Sequence, residues 1–444
     1  MKTLLKRTPL ILLLLAGILF ISCVPALQDF WHEDVGTVVS AHPIATEIGM
    51  DVLREGGNAI DAAVAVGFAM GVVDQFHSGI GGGGFIVIRM ADGTIHTIDG
   101  RETAPAAATR DMYLRNGEFD PSISQEGVLA VGVPGIVAAY EEALDLVGTK
   151  DLAEVIQPSI SVARDGFKLD KPYANVIQET AEKLKTDPAS AAIYLHKDGS
   201  PQAAGEILHQ PDLAATYEKI AAGGVDYFYR GEFAEKLANY MRTNNGLITA
   251  ADMAGYTVRH REPVVGSYRD CEVIGMAPPS SGGVHVLQIL NMLEASGVLE
   301  GKSGWDSESV YLTARFMSQA FEDRSLHLGD SDFYNVPADF LSSQTYADSV
   351  VNVIMSETPA TIPQTGTIQF EWSSASTTNF CVVDKWGNAV AVNQTVNLWF
   401  GSKLTLPGTG VVLNDEMDDF SAQPGVPNAF GLIGGEANSI APGK

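Results

Sequence analysis

The chain reads as an α+β protein, and three observations carry that reading. Runs rich in β-branched residues, which read as strands, gather toward the two ends of the chain. Between them, long segments repeat apolar residues every three to four positions, as amphipathic helices do. Strand and helix patterns do not alternate in βαβ fashion, so the sheets are expected to form from segments distant in sequence.

Taken in order, Gly36 to Ala41 predicts a strand. After Pro43, Ile44 to Glu55 has helical spacing and closes at Gly56-Gly57, as a helix C-terminus should. Asn58 is placed to cap a second helix through about Val73, alanine-rich and apolar nearly all round, hence buried. Gly79 to Gly84 is a glycine loop. Phe85 to Met90 and Ile95 to Ile98 then predict a hairpin across Ala91-Asp92-Gly93-Thr94. Helical spacing follows at 134–147, 152–164, 211–222, 232–243, 285–296 and 307–327. Strands return at 268–276, 376–384, 389–396 and 410–413.

Composition bounds the possibilities. The 444 residues carry a formal net charge of −26. With no basic patch to neutralise phosphate, nucleic acid is excluded as a partner. Lys2, Lys6 and Arg7 precede an apolar run, Leu10 to Ile21, too short to span a bilayer comfortably; residues 1–23 read as a secretion signal. Cys23, after Leu19-Phe20-Ile21-Ser22, reads as a bacterial lipidation site. An ordinary signal peptide cut nearby is the alternative. Periplasmic or extracellular placement follows, with membrane anchoring if Cys23 is acylated. Only Cys271 and Cys381 remain, too few for a disulfide framework. The nine histidines show no paired metal-ligand spacing, so neither a metal nor another cofactor is expected. No linker, repeat or low-complexity block divides the rest.

The chemistry concentrates at Ser376-Thr377-Thr378-Asn379-Phe380-Cys381-Val382-Val383-Asp384. A threonine hydroxyl is a poor nucleophile without a base beside it. Cutting the chain before Thr377 would supply one, its own α-amine, whose pKa is about 8. Asp384 to Asn388 makes a tight connection to the next strand, which carries Thr395 and Asn397; residues two apart share a strand face. Arg101 follows a strand ending in Asp99-Gly100 and offers a rigid fork suited to a carboxylate. Gly79, Gly81 and Gly84 fit G-x-G-x-x-G, but the loop leads into a strand, so no helix N-terminus awaits a pyrophosphate; close backbone packing is the better account. Cys381 shares the face of Thr377 but lacks a histidine partner, and a small buried side chain is its default.

These stretches resemble the γ-glutamyltransferase family of N-terminal-nucleophile hydrolases, together with Gly81-Gly82-Gly83-Gly84-Phe85, Asp99-Gly100-Arg101-Glu102-Thr103-Ala104-Pro105, Val131-Gly132-Val133-Pro134-Gly135, Pro278-Pro279-Ser280-Ser281-Gly282-Gly283, Glu322-Asp323-Arg324-Ser325 and Leu413-Asn414-Asp415-Glu416-Met417-Asp418-Asp419-Phe420-Ser421. The resemblance implies a four-layer αββα sandwich. It implies self-cleavage between Ser376 and Thr377, giving a large subunit (24–376) and a small one (377–444) that stay together as a heterodimer. Thr377 would then take the γ-glutamyl group of glutathione-like amides and pass it to water or to an amino-acid or peptide acceptor. By the same resemblance Thr395 hydrogen-bonds the new α-amine, Arg101 grips the substrate α-carboxylate, and Asn397, Glu416 and Asp419 surround its α-ammonium.

The sequence departs from the family at several places. Asn379 stands where many relatives have histidine, Cys381 where they have serine, and Glu416 where glutamine is common. Phe430 replaces a usual tyrosine in the lid-like stretch Pro424 to Gly435. Relatives continue beyond Pro442-Gly443-Lys444, with residues for the substrate carboxylate and the oxyanion, so the small subunit is expected to be incomplete. The alternatives are a cephalosporin-type acylase or γ-polyglutamate hydrolase on the same scaffold, or a lipoprotein that keeps the fold without processing. Within the acidic run, a plain surface loop remains a reading for Asp415, Glu416 and Asp418.

Overall fold

The structure is a computed structural model that describes residues 34–357 and 377–444. Cys23 and Ser376 lie outside the described residues. The central sheet is assembled from β1 (Gly36–Val39), β2 (Gly83–Arg89), β3 (Ile95–Gly100), β4 (Arg259–His260), β7 (Thr378–Asp384) and β8 (Ala389–Thr395). Its order is β1-β7-β8-β2-β3-β4, with every neighbouring pair antiparallel. A second, two-stranded sheet is a hairpin of β5 (Val264–Tyr268) and β6 (Cys271–Gly275). Segments more than 300 residues apart thus lie side by side, as the absence of βαβ alternation implied.

One face of the sheet is dry. Phe380, Val382, Val390, Val392, Ile86, Ile88 and Ile98 point into the main core. There they meet α1 (Pro43–Arg54), α2 (Ala59–Val73) and α3 (Ile136–Val147). Every residue of α2 is buried, as its all-round apolar surface predicts. The opposite face is open among the described residues: Val39, Asn379, Cys381, Val383, Ala391 and Asn393 are exposed. The hairpin is backed by α4 (Gly282–Ser296), against which α5 (Ser307–His327) and α6 (Gln344–Ser356) pack. Among the described residues the sandwich therefore shows one complete helix-on-sheet half and a smaller hairpin–helix unit.

The start of α2 and the end of β7 are fastened to each other. Asn58 accepts from the N–H groups of Ile60 and Asp61, while Asp61 accepts from Asn58, a reciprocal cap. Asp384, buried at the predicted tight turn, accepts from Ala59 N (2.9 Å), Trp386 N (2.9 Å), Asn388 N (3.0 Å) and Asn388 Nδ2 (2.7 Å). Its carboxylate thus sits at the positive end of α2. Asp384→Ala should strand these donors and destabilise the fold by about 2–4 kcal/mol. Urea unfolding of the two proteins measures the difference.

Several predicted elements need correction. The expected helix 152–164 is two pieces, Leu152–Val155 and Gln157–Asp165, because Pro158 has no N–H to continue the first and starts the second. The helix from Pro211 reaches Tyr229 through a kink at Gly224 (φ 60°). The strand expected at 268–276 is the second arm of the β5–β6 hairpin, which turns at Arg269 in a left-handed conformation (φ 53°). Helices Lys171–Leu184 and Gln344–Ser356 were not expected; Asp170 and Ser343 cap them. Cys381 is exposed on the open face, not buried, and both Cys271 and Cys381 are free thiols. Among the described residues, no helix is long and apolar enough to cross a membrane.

Candidate active site

Sheet register brings the predicted residues into one line. Thr378, Gln394, Gly84 and Gly100 pair successively across β7, β8, β2 and β3. One residue along, Thr395 pairs with Gly83, and Thr377 and Arg101 continue that row at its two ends. Three strand spacings separate Thr377 from Arg101, roughly 14 Å. That gap is of the size an extended arginine and a glutamyl group would share. Alternation turns Thr378 inward and Thr377 outward, onto the open face with Asn379 and Cys381.

Thr377 donates its hydroxyl to Thr395 Oγ1 at 3.1 Å. The same oxygen accepts from Asn397 N at 2.9 Å. Thr395 is therefore held from two sides, and its own proton is left to donate elsewhere. Asn397 is not on the strand, as the period-two argument requires. β8 ends at Thr395, and Asn397 is left-handed (φ 74°). Its backbone, not its amide, addresses Thr395; Nδ2 donates to Asp415 O at 2.9 Å. Asn379 donates to Val392 O and Asn393 Oδ1, and Cys381 Sγ lies 3.7 Å from Asn379 Oδ1 with no basic partner.

The glycine loop lets these strands meet. A Cβ on Gly82 would fall 1.9 Å from Thr395 O, and one on Gly100 would fall 2.5 Å from Ala139 Cβ of α3. Close backbone approach is thus what these glycines provide. Just beyond Gly100, Arg101 is fixed at its backbone: its N–H donates to Asp99 Oδ1 (3.0 Å), and its carbonyl accepts from Tyr256 OH (2.7 Å). The guanidinium pairs with Glu416 Oε1 at 2.5 Å and Asp419 Oδ2 at 2.6 Å. It also lies 5.8 Å from the centre of the Phe85 ring.

A cavity of about 550 Å³ opens beside this pair, lined among others by Arg101, Glu102, Glu416, Asp419, Arg324 and Phe430. Neither Thr377 nor Thr395 lines it, so the row of residues runs from the open face to the cavity wall. Phe430, from the lid-like stretch, is among the lining residues, and Asn428 in that stretch donates to Asp419 Oδ1 at 3.3 Å. Asp415, Glu416 and Asp418 are buried, which overturns the surface-loop reading. Among the described residues no cluster of His, Cys, Asp or Glu could hold a metal ion.

Sequence reasoning assigned no role to Glu102, Arg324 or Asn414. Glu102 is buried with neither carboxyl oxygen hydrogen-bonded, and burial pushes its pKa up to about 8 despite Arg101 nearby. Burial also outweighs the attraction of Arg101 and raises Glu416. Arg324, whose pKa burial lowers, makes no side-chain hydrogen bond or ion pair among the described residues. Asn414 ties the site together: Nδ2 donates to Gly81 O and Gly132 O, while Oδ1 accepts from Gly132 N and Glu416 N.

The raised carboxyls have a consequence for stability. Between about pH 4.5 and 8 the folded chain keeps the Glu102 proton that the unfolded chain releases, so stability should fall as pH rises through that window. The slope is at most about 1.4 kcal/mol per pH unit for each such group. Glu102→Gln should lower the slope by one group's share, leaving that of Glu416 and Asp415. Unfolding at pH 5.5, 7 and 8.5 tests the sign.

Residues 45–444 match the family model described as Gamma-glutamyltranspeptidase. The glutathione hydrolase proenzyme of Escherichia coli (strain K12) is 42% identical over 423 residues, covering 94% of this chain and 73% of that protein. The acylase ACY 1 proenzyme of Pseudomonas sp. (strain SE83) is 40% identical, covering 95% and 75%. Among solved structures, Helicobacter pylori gamma-glutamyltranspeptidase superimposes with a TM-score of 0.72 at 41% identity, over 77% of this chain and 99% of that one. Cephalosporin acylase from Bacillus halodurans gives a TM-score of 0.78 at 26% identity, over 93% and 74%. The α+β fold is thus of the N-terminal-nucleophile hydrolase type, and the chain belongs to the gamma-glutamyltranspeptidase family.

Proposed function

We propose that the chain is a proenzyme that cuts itself between Ser376 and Thr377 and then hydrolyses or transfers γ-glutamyl groups, glutathione being the natural substrate class. In the first step the Thr377 hydroxyl attacks the Ser376 carbonyl, the peptide shifts to an ester, and water releases the two subunits, 24–376 and 377–444. In the second, the same oxygen attacks a γ-glutamyl amide while the freed α-amine takes its proton. The amine of the substrate leaves with that proton, and water or an acceptor amine resolves the ester.

The observation that carries this reading is the row Thr377–Thr395–Gly83–Arg101, with Asp419 paired to the arginine at its far end. Arg101 and Asp419 offer opposite charges at a fixed separation, matched to the carboxylate and ammonium of a free amino-acid head. The secretion signal at 1–23 and the lipid at Cys23 belong to the same proposal; they would place the enzyme in the periplasm or outside the cell, anchored if acylated.

The acylase relatives give the competing substrate class, and a pair of anilides separates the two. γ-Glutamyl p-nitroanilide carries the α-ammonium; glutaryl p-nitroanilide lacks it. Losing a charge-assisted bond to the half-buried Asp419 carboxylate costs about 1.5–3 kcal/mol, so the glutaryl compound should be turned over roughly ten- to a hundredfold less efficiently. Equal or better turnover of the glutaryl anilide would favour the acylase.

A further inference from the structure

The sequence offers Asp415 as one more acid of the substrate-contacting run, yet its side chain points away from the cavity. It is fully buried and does not line the pocket that Glu416 and Asp419 share. Its Oδ1 accepts from Leu398 N at 2.9 Å, its carbonyl accepts from Asn397 Nδ2 at 2.9 Å, and its N–H donates to Val396 O at 3.1 Å. Three consecutive residues after β8 are thus fastened to one aspartate. The middle one, Asn397, holds a left-handed backbone (φ 74°), a conformation uncommon outside glycine that asparagine tolerates better than most residues. That backbone aims the Asn397 N–H at Thr395 Oγ1, which in turn receives the Thr377 hydroxyl.

We propose that Asp415 is a positioning residue for the nucleophile: it clamps the 396–398 turn so that Asn397 fixes the Thr395 hydroxyl, and through it Thr377. The inference rests on Thr377 being the nucleophile. Lys403 completes the arrangement. It is buried, its ammonium donates to Gly401 O, and its attraction counters only part of the burial that raises the Asp415 carboxyl. The hydrogen bond to Leu398, not the charge, does the positioning. Asparagine keeps an acceptor oxygen at the same reach, whereas glutamate keeps the charge and displaces the oxygen by one methylene.

The test compares Asp415→Asn, Asp415→Glu and Asp415→Ala in the full chain, following the self-cleavage rate and the kcat and KM for γ-glutamyl p-nitroanilide, normalised to folded protein. Asp415→Asn should retain both rates within about threefold. Asp415→Glu and Asp415→Ala should lose about ten- to a hundredfold in self-cleavage and kcat, with KM within about twofold. A folded Asp415→Glu as fast as the parent beside a slow Asp415→Asn would overturn the proposal, because charge would then be what matters. So would a rise in KM alone, or unchanged rates in Asp415→Ala. If Asp415→Ala does not fold, the other two variants decide. Thr377→Ala separates the layers: turnover surviving there defeats the nucleophile assignment itself, whereas a dead Thr377→Ala with indifferent Asp415 variants defeats only this inference.

Discussion

Thr377→Ala should remain a single uncut polypeptide and should turn over γ-glutamyl amides on the order of 10⁴- to 10⁶-fold more slowly than the processed parent, the scale of loss when a catalytic nucleophile is removed. The expectation follows from where the hydroxyl sits. It lies on the open face of the sheet, 3.1 Å from a threonine oxygen already held by a backbone N–H. Among the described residues, no other nucleophile on that face has a basic partner to activate it. Cys381 meets only Asn379, at 3.7 Å. Folding should survive the substitution, since Thr377 is exposed and precedes the first ladder residue of β7. An intact fold with no cleavage and no turnover is therefore the expected phenotype. Residual cleavage at the parent's rate would move the nucleophile elsewhere.

The second large effect is expected at Arg101. Replacing it with methionine removes the cation that meets the substrate carboxylate and strands Glu416, a buried acid whose second oxygen is already without a partner. Loss of the bidentate grip should lower kcat/KM for γ-glutamyl anilide by about 10²–10³. Breaking a buried pair from one side costs about 3–5 kcal/mol of stability. Glu416 can escape part of that cost by taking a proton, because burial already raises its pKa. The destabilisation should therefore be smaller at pH 5 than at pH 8. Arg101→Lys keeps the charge without the planar fork and should fall between the two. Self-cleavage should be spared, since Arg101 lies three strands from Thr377. Steady-state kinetics, unfolding at two pH values and a denaturing gel separate these effects.

Much of this was legible in the residues, and the failures share a cause. Asn58 announced the cap of α2, the apolar circumference of α2 announced its burial, and the spacing at 307–327 gave α5 with both ends right. Thr377, Thr395 and Arg101 were named from local pattern and resemblance, and register then lined them up. Asn397 was misjudged because strand alternation was carried past Thr395, where the chain turns left-handed to meet Asp415. The acidic run was ambiguous for a related reason: four of its residues look alike in sequence, whereas burial and direction distinguish Asp415 inside from Asp419 at the cavity. Glu102 shows the same limit. Nothing in Arg101-Glu102-Thr103 says that the acid is buried without a partner, a property set by Gly83 and Gly132 packing over it from distant segments.

The central claim is that the chain opens before Thr377 to make its own catalytic base, and N-terminal sequencing of an active preparation, with intact mass in parallel, tests it most directly. The account predicts two polypeptides in equal amounts, one beginning with Thr377-Thr378-Asn379-Phe380. Active protein in which no polypeptide begins at Thr377 would contradict it.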